Sequence, residues 1–192
     1  MKKVLFIVGL LMFALLGNMQ AQTVKKDIDK AARKAEKEAK KLEEKMQNEI
    51  LFKEAEKALQ NQAFVLEADR VIFKRGRSEF VNSNMNFISL SDDRATVQIA
   101  FNGPFSGPNG LGGVTVDGTA SNIKMSKDKR GNINFSMDVH GIGVSAQVFI
   151  QLTNDNNDAS VTVSPNFNSN RITLTGKLLP VEKSNILKGR SI

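Results

Sequence analysis

The sequence predicts a mainly β fold of the α+β class: one long N-terminal helix, then an antiparallel meander of about eight strands forming a flattened barrel or a two-layer sandwich. Three observations carry this. Residues 22–61 are rich in Ala, Lys and Glu and contain neither Gly nor Pro, the composition of an uninterrupted helix. From residue 62 to residue 180 the apolar period drops to two, the period of a half-buried strand. Short clusters of Gly, Asn and Asp punctuate that stretch at regular intervals, as turns between hairpin-connected strands do.

The N-terminus precedes the helix in the argument. Lys2 and Lys3 are followed by Val4 to Leu16, a run without charged or strongly polar side chains, and Ala21 supplies a small residue at a candidate cleavage point. Charge, apolar core and small residue in that order make a signal peptide of residues 1–21. The apolar run is too short to span a hydrocarbon core of about 30 Å. Cleavage after Ala21 is expected, and with it export to the periplasm or beyond. A lipoprotein-type anchor needs a cysteine at the cut, and the chain has none.

Within the helix, Glu36–Lys40 and Glu49–Lys53 are oppositely charged pairs at the four-residue spacing that supports helix. Ile28, Ala32, Ala35, Ala39, Leu42 and Met46 alternate spacings of four and three, a weak heptad seam. Residues 28–46 are therefore the candidate surface for self-association as a coiled coil. The broader apolar group Ile50, Leu51, Phe52, Ala55, Ala58 and Leu59 is expected to bury against the β domain.

The strands follow in order. Phe64, Leu66 and Ala68 alternate with Val65, Glu67 and Asp69. Val81, Ser83, Met85 and Phe87 are expected on one face of a second strand, with Asn82, Asn84 and Asn86 on the other. Ala95, Val97, Ile99 and Phe101 share a face, as do Ile133, Phe135, Met137 and Val139. Ile142, Val144, Ala146, Val148, Ile150 and Leu152 make the longest series. Val161 and Val163, then Ile172, Leu174, Gly176 and Leu178, complete the set. Between them, 74–77, Asp92-Asp93, 127–132, His140-Gly141 and 154–158 read as turns. The tail, 181–192, is polar and basic and is expected to be flexible.

Composition excludes several functions. The chain has no Cys, no Trp and no Tyr, and all 12 aromatic residues are Phe. Thiol catalysis and thiolate metal sites are thus ruled out. Nucleic-acid and sugar recognition lack their usual stacking rings. The net charge of +7 includes Lys2 and Lys3, which leave with the signal; the remainder favours weak attraction to anionic surfaces.

Several short runs together resemble a bacterial family known as domain of unknown function 4251. These are Phe64-Val65-Leu66-Glu67-Ala68-Asp69, Asn86-Phe87-Ile88, Asn109-Gly110-Leu111-Gly112-Gly113-Val114-Thr115 with Gly118, and Gly176-Lys177-Leu178-Leu179-Pro180. The resemblance covers roughly residues 50–180. It implies secretory signals and Gram-negative hosts, with no assigned activity and no functional residues to carry over.

The residues themselves offer few sites. The glycine-rich segment around Gly110, Gly112 and Gly113 precedes a strand rather than a helix and lacks the Lys of a phosphate loop. It reads either as a loop needing positive φ and close strand approach, or as a flap with Phe105 at its tip. His140 stands alone, and 154–158 does not fit a calcium loop. No nucleophile elbow is present. Lys74, Arg75 and Arg77 read as a solvated hairpin tip or an anion site. The function expected is a non-enzymatic, cofactor-free cell-envelope protein that binds a partner and no nucleic acid. The alternative is a carrier of a small apolar ligand in a barrel lined by Met85, Phe87, Phe135 and Met137.

Overall fold

The computed structural model describes residues 2–100, 110, 112–142, 144–166 and 171–191, with helix side chains described at residue 30 and from residue 32 onward. Phe101 and Phe105 lie outside the described residues. The chain divides into two units, Met1–Gln47 and Asn48–Ile192. The helix α1 spans Lys2–Gln60. Its first unit is helix alone, with Leu42 and Met46 of the heptad seam exposed. Glu36–Lys40 closes at 2.8 Å. No helix among the described residues is long and apolar enough to cross a membrane.

Among its described residues the second unit holds the end of α1 and nine strands: β1 (Ala63–Phe73), β2 (Ser78–Phe80), β3 (Phe87–Ser91), β4 (Arg94–Ala100), β5 (Gly113–Lys127), β6 (Ile133–Gly141), β7 (Val144–Leu152), β8 (Asp158–Pro165) and β9 (Ile172–Pro180). Consecutive strands from β3 to β9 pair antiparallel, and β1 pairs with both β3 and β9. That double pairing closes an eight-stranded barrel, which removes the free sheet edges. A closed barrel replaces the sandwich alternative. The short β2 is a ninth strand, added beside the far half of β1 at Arg70–Ile72.

Alternation decides what fills the barrel. Phe64, Leu66, Ile88, Leu90, Ile133, Phe135, Met137, Val148, Ile150, Val161, Leu174 and Leu178 are buried in one cluster. Phe64 and Phe135 meet edge to face, 5.4 Å apart at 81°. The outward positions of β6 to β9 are mostly polar, such as Gln147, Gln151, Ser160, Thr162 and Thr175. This is the inverse of a barrel that faces lipid.

The last turns of α1 add Phe52, Ala55, Ala58 and Leu59 to the same cluster. Glu56 reaches Lys127 at the end of β5, 3.0 Å away, and Glu54 reaches Lys183 just after β9, 2.6 Å away. The same Lys127 sits 5.3 Å from the Phe52 ring centre. The helix end therefore caps the barrel mouth where β1 begins and β9 ends. At this mouth the β5–β6 turn is organised by Asp128, whose carboxylate accepts hydrogen bonds from the Asn132 side chain and from the Arg130 and Asn132 backbone amides. The Asn132 amide is the largest influence holding that carboxyl below its usual pKa.

Two strand expectations are corrected. The strand expected through Val81–Phe87 is interrupted. Asn82 accepts the backbone amides of Met85 and Asn86 on its carbonyl, and its side chain accepts the Asn84 amide. A side chain that offers the backbone an alternative partner breaks a ladder, so 82–86 turns and the strand face resumes at Phe87 with new parity. Asn82, Asn84 and Asn86 therefore form no row. Ile142 was expected to share the inward face of β7, but it sits at the β6–β7 turn and is 89% exposed.

Candidate binding site

The mouth opposite the helix is where β1 ends and β9 begins, with the β1–β2 turn at its rim. In the β1–β2 turn, the Phe73 amide donates to the Arg77 carbonyl and the Gly76 amide to the Phe73 carbonyl, each at 2.8 Å. Gly76 takes φ 83°, where an L side chain would be strained. The tight turn projects Lys74, Arg75 and Arg77. Phe73 is in register with Ile172 of β9, so Arg171 arrives beside the same turn. Together these six residues line a cleft of about 590 Å³.

The chemistry of the cleft is four cations around two apolar side chains. The Arg77 guanidinium lies 5.1 Å from the Phe73 ring centre and 2.7 Å from Glu79. The stacked and paired Arg is held in place, as its planar fork favours. All four cationic residues are exposed, so their field is screened by salt. Such a cleft can hold an anion that carries an apolar portion.

A second groove, of about 320 Å³, lies on the outer wall between Asp69, Arg70, Gln151, Thr153, Asp158 and Thr175. It sits beside the irregularity at Ala68/Arg70 in the β1–β9 ladder. Its charges have both signs, and Asp158 is bonded to Lys177 at 2.6 Å.

The residues singled out from sequence scatter. Phe135 and Met137 are in the barrel interior, 1% and 2% exposed. Met85 is half-buried in the 82–86 turn, and its carbonyl accepts from the Gln98 amide at 2.9 Å. Phe87 is buried but points away from the interior, in register with Glu67 and Gln98. The inward reading of Met85 and Phe87 is thus corrected, and the cause is the broken strand before them. The interior side chains pack on one another and on the helix end, so they act as core.

Gly110 and Gly112 have φ of 76° and 86°. A side chain at Gly113 would overlap the Ile99 carbonyl. The glycine-rich segment thus has both positive φ and close strand approach. His140 is exposed and its Nδ1 lies 3.3 Å from the Ser145 hydroxyl. The 154–158 turn is spent on internal bonds, including Asn154 Nδ2 to the Arg130 carbonyl and the Asp158 amide to Asn156 Oδ1. No metal-binding group of His, Asp and Glu occurs among the described residues. Sequence reading missed Arg171, which carries no signal beyond its charge until β1 and β9 are known to pair.

The family described as Domain of unknown function (DUF4251) matches residues 46–178. The chain belongs to this family. The DUF4251 match begins in the last turns of α1 and takes in the whole rim cleft. A crystal structure of a DUF4251 family protein from Bacteroides eggerthii is 56% identical, covering 76% of this chain and 97% of its own, with a TM-score of 0.64. Curated proteins give no match to the chain.

Proposed function

We propose that this DUF4251 chain is an exported, non-enzymatic binding module of the bacterial cell envelope that captures an amphiphilic anion at the rim of its barrel. The observation that carries the reading is the cleft in which Lys74, Arg75, Arg77 and Arg171 surround Phe73 and Ile172. Cations hold the anionic head, and the two apolar side chains offer a surface to the attached hydrocarbon. The signal-peptide pattern of residues 1–21 supports export and a mature chain beginning at Gln22. The exposed seam around Leu42 and Met46 supports a second contact, helix to helix.

Titration with dodecyl phosphate, followed by backbone NMR shifts, tests the anion reading. Shifts are expected at residues 73–77 and 171–172, fading with added salt, and absent with the uncharged dodecyl maltoside. Arg77→Gln with Arg171→Gln removes two charge-assisted contacts and weakens binding about tenfold or more. Equal binding of both detergents, or binding untouched by the double substitution, sinks the reading.

A further inference from the structure

The outer wall of the barrel carries a groove that is already filled. Glu67, Phe87, Gln98 and Thr115 are register neighbours across β1, β3, β4 and β5. By alternation they point outward, yet Phe87, Gln98 and Thr115 are 0% exposed. What crosses this wall is the segment after β9. The sequence reads residues 181–192 as a flexible tail; residues 184–189 make a series of bonds to the wall.

The bonds have a pattern. Glu67 Oε1 accepts the Ser184 hydroxyl at 2.7 Å and the Asn185 amide at 3.0 Å. The Leu187 amide donates to the Asn84 carbonyl at 2.8 Å. Gln98 Nε2 donates to the Leu187 carbonyl at 2.8 Å, and Gln98 Oε1 accepts the Gly189 amide at 2.7 Å. Thr115 Oγ1 and the Met85 carbonyl complete the Gln98 amide. Lys188 reaches Asp117 at 2.7 Å. Four of the atoms held are main-chain atoms of the segment, and the amides held are those of 185, 187 and 189. That is how a groove reads an extended peptide, whose backbone repeats every two residues.

Two features distinguish this segment from a packed core element. The Leu187 side chain is 56% exposed and adds little apolar burial, while Ile186 is half-buried. Asn84 Oδ1 is shut off from solvent and has no donor among the described residues, so the groove retains an acceptor that the segment leaves unused.

We propose that this wall is a docking groove for an extended polypeptide of a partner protein, with residues 184–191 as its built-in occupant. Three side chains of the segment are read, Ser184 by Glu67 and both Lys188 and Ser191 by Asp117. The partner segment accordingly carries a hydroxyl residue, a basic one four positions later and a second hydroxyl three positions after that. Its binding displaces the chain's own segment, hinged at Pro180–Lys183. The site shares no residue with the rim cleft and stands or falls separately.

The test uses the full mature chain and a fluorescein-labelled peptide of residues 184–192, read by anisotropy. Leu187→Pro with Lys188→Glu loosens the built-in segment without touching the groove. Because apparent affinity scales with the fraction of open groove, the peptide is expected to bind this variant at least about tenfold more tightly than the unaltered chain. Adding Gln98→Leu abolishes that binding. If Gln98→Leu does not fold, a charge exchange replaces it. A chain with Asp117→Lys is expected to lose the peptide and to take up one bearing Glu at the Lys188 position. No binding to the loosened variant, or binding indifferent to both groove substitutions, overturns the proposal.

Discussion

The ring of Phe64 on β1 meets the ring of Phe135 on β6 edge-on, 5.4 Å between centres, from opposite walls of the barrel. Neither is more than 1% exposed. Phe135→Ala leaves a cavity that stiff barrel walls close only in part, and the expected cost is about 3–5 kcal/mol. Urea unfolding monitored by circular dichroism measures it. Phe64→Ala is expected to cost a similar amount, and the double substitution less than the sum, because the two share one contact.

Gly113 and Gly76 separate two uses of glycine. At Gly113 an added methyl collides with the backbone of Ile99, so Gly113→Ala forces β4 and β5 apart. At Gly76 there is open space but φ is 83°, so Gly76→Ala costs only the left-handed strain, roughly 1–2 kcal/mol. Thermal melts are expected to show the Gly113 variant as clearly the less stable. Equal melting temperatures would contradict the close strand approach.

Deletion of residues 23–47 is expected to leave the barrel's melting temperature nearly unchanged. The helix residues that join the core begin at Phe52, beyond the cut. Far-UV circular dichroism loses helix, and sedimentation velocity reports whether the exposed Leu42–Met46 seam had been joining two copies. A collapse of the melting temperature would refute the division of labour along the helix.

The Asp117–Lys188 contact makes attachment of the 184–189 segment depend on acid. Burial alone raises the Asp117 pKa, but hydrogen bonds from Lys188, Thr96 and Ser191, with the charge of Lys188, outweigh it and hold the pKa below 3.8. A depressed carboxylate stabilises the native state above its unfolded pKa, and that contribution is lost as pH falls through the lower, folded value. NMR titration of the Lys188 and Gly189 signals is expected to show a midpoint below 3.8, with no change between pH 5 and 7. Asp117→Asn removes the titration.

Much of the barrel was legible because its walls alternate. Phe135, Met137 and Val139 show their inward face in the letters alone, and so do Val148 and Ile150. The stretch Val81–Phe87 misled because its period of two came from side chains, while its backbone obeys Asn82. A barrel was one of the two forms expected, but the pairing that closes it was illegible, since nothing local to Phe64 names Pro180 as its partner. The rim cleft was legible by half: Lys74, Arg75 and Arg77 share one turn, but Arg171 joins them only through that same closure. The outer groove gave no sign either, because Gln98 at an outward strand position looks like an ordinary solvated side chain until something is found lying on it.

The pairing of the first long strand with the last has a consequence for how the protein is made. β1 cannot find its second neighbour until β9 exists, so the barrel has no native halfway state in which its wall is whole. A chain emerging N-terminus first, from a ribosome or through a membrane channel, carries an incomplete wall until residues 172–180 arrive. Closure then comes late and all together, at the rate that long-range pairing imposes. Under the export proposed above, lateness is useful: the chain stays threadable for as long as it needs to be threaded.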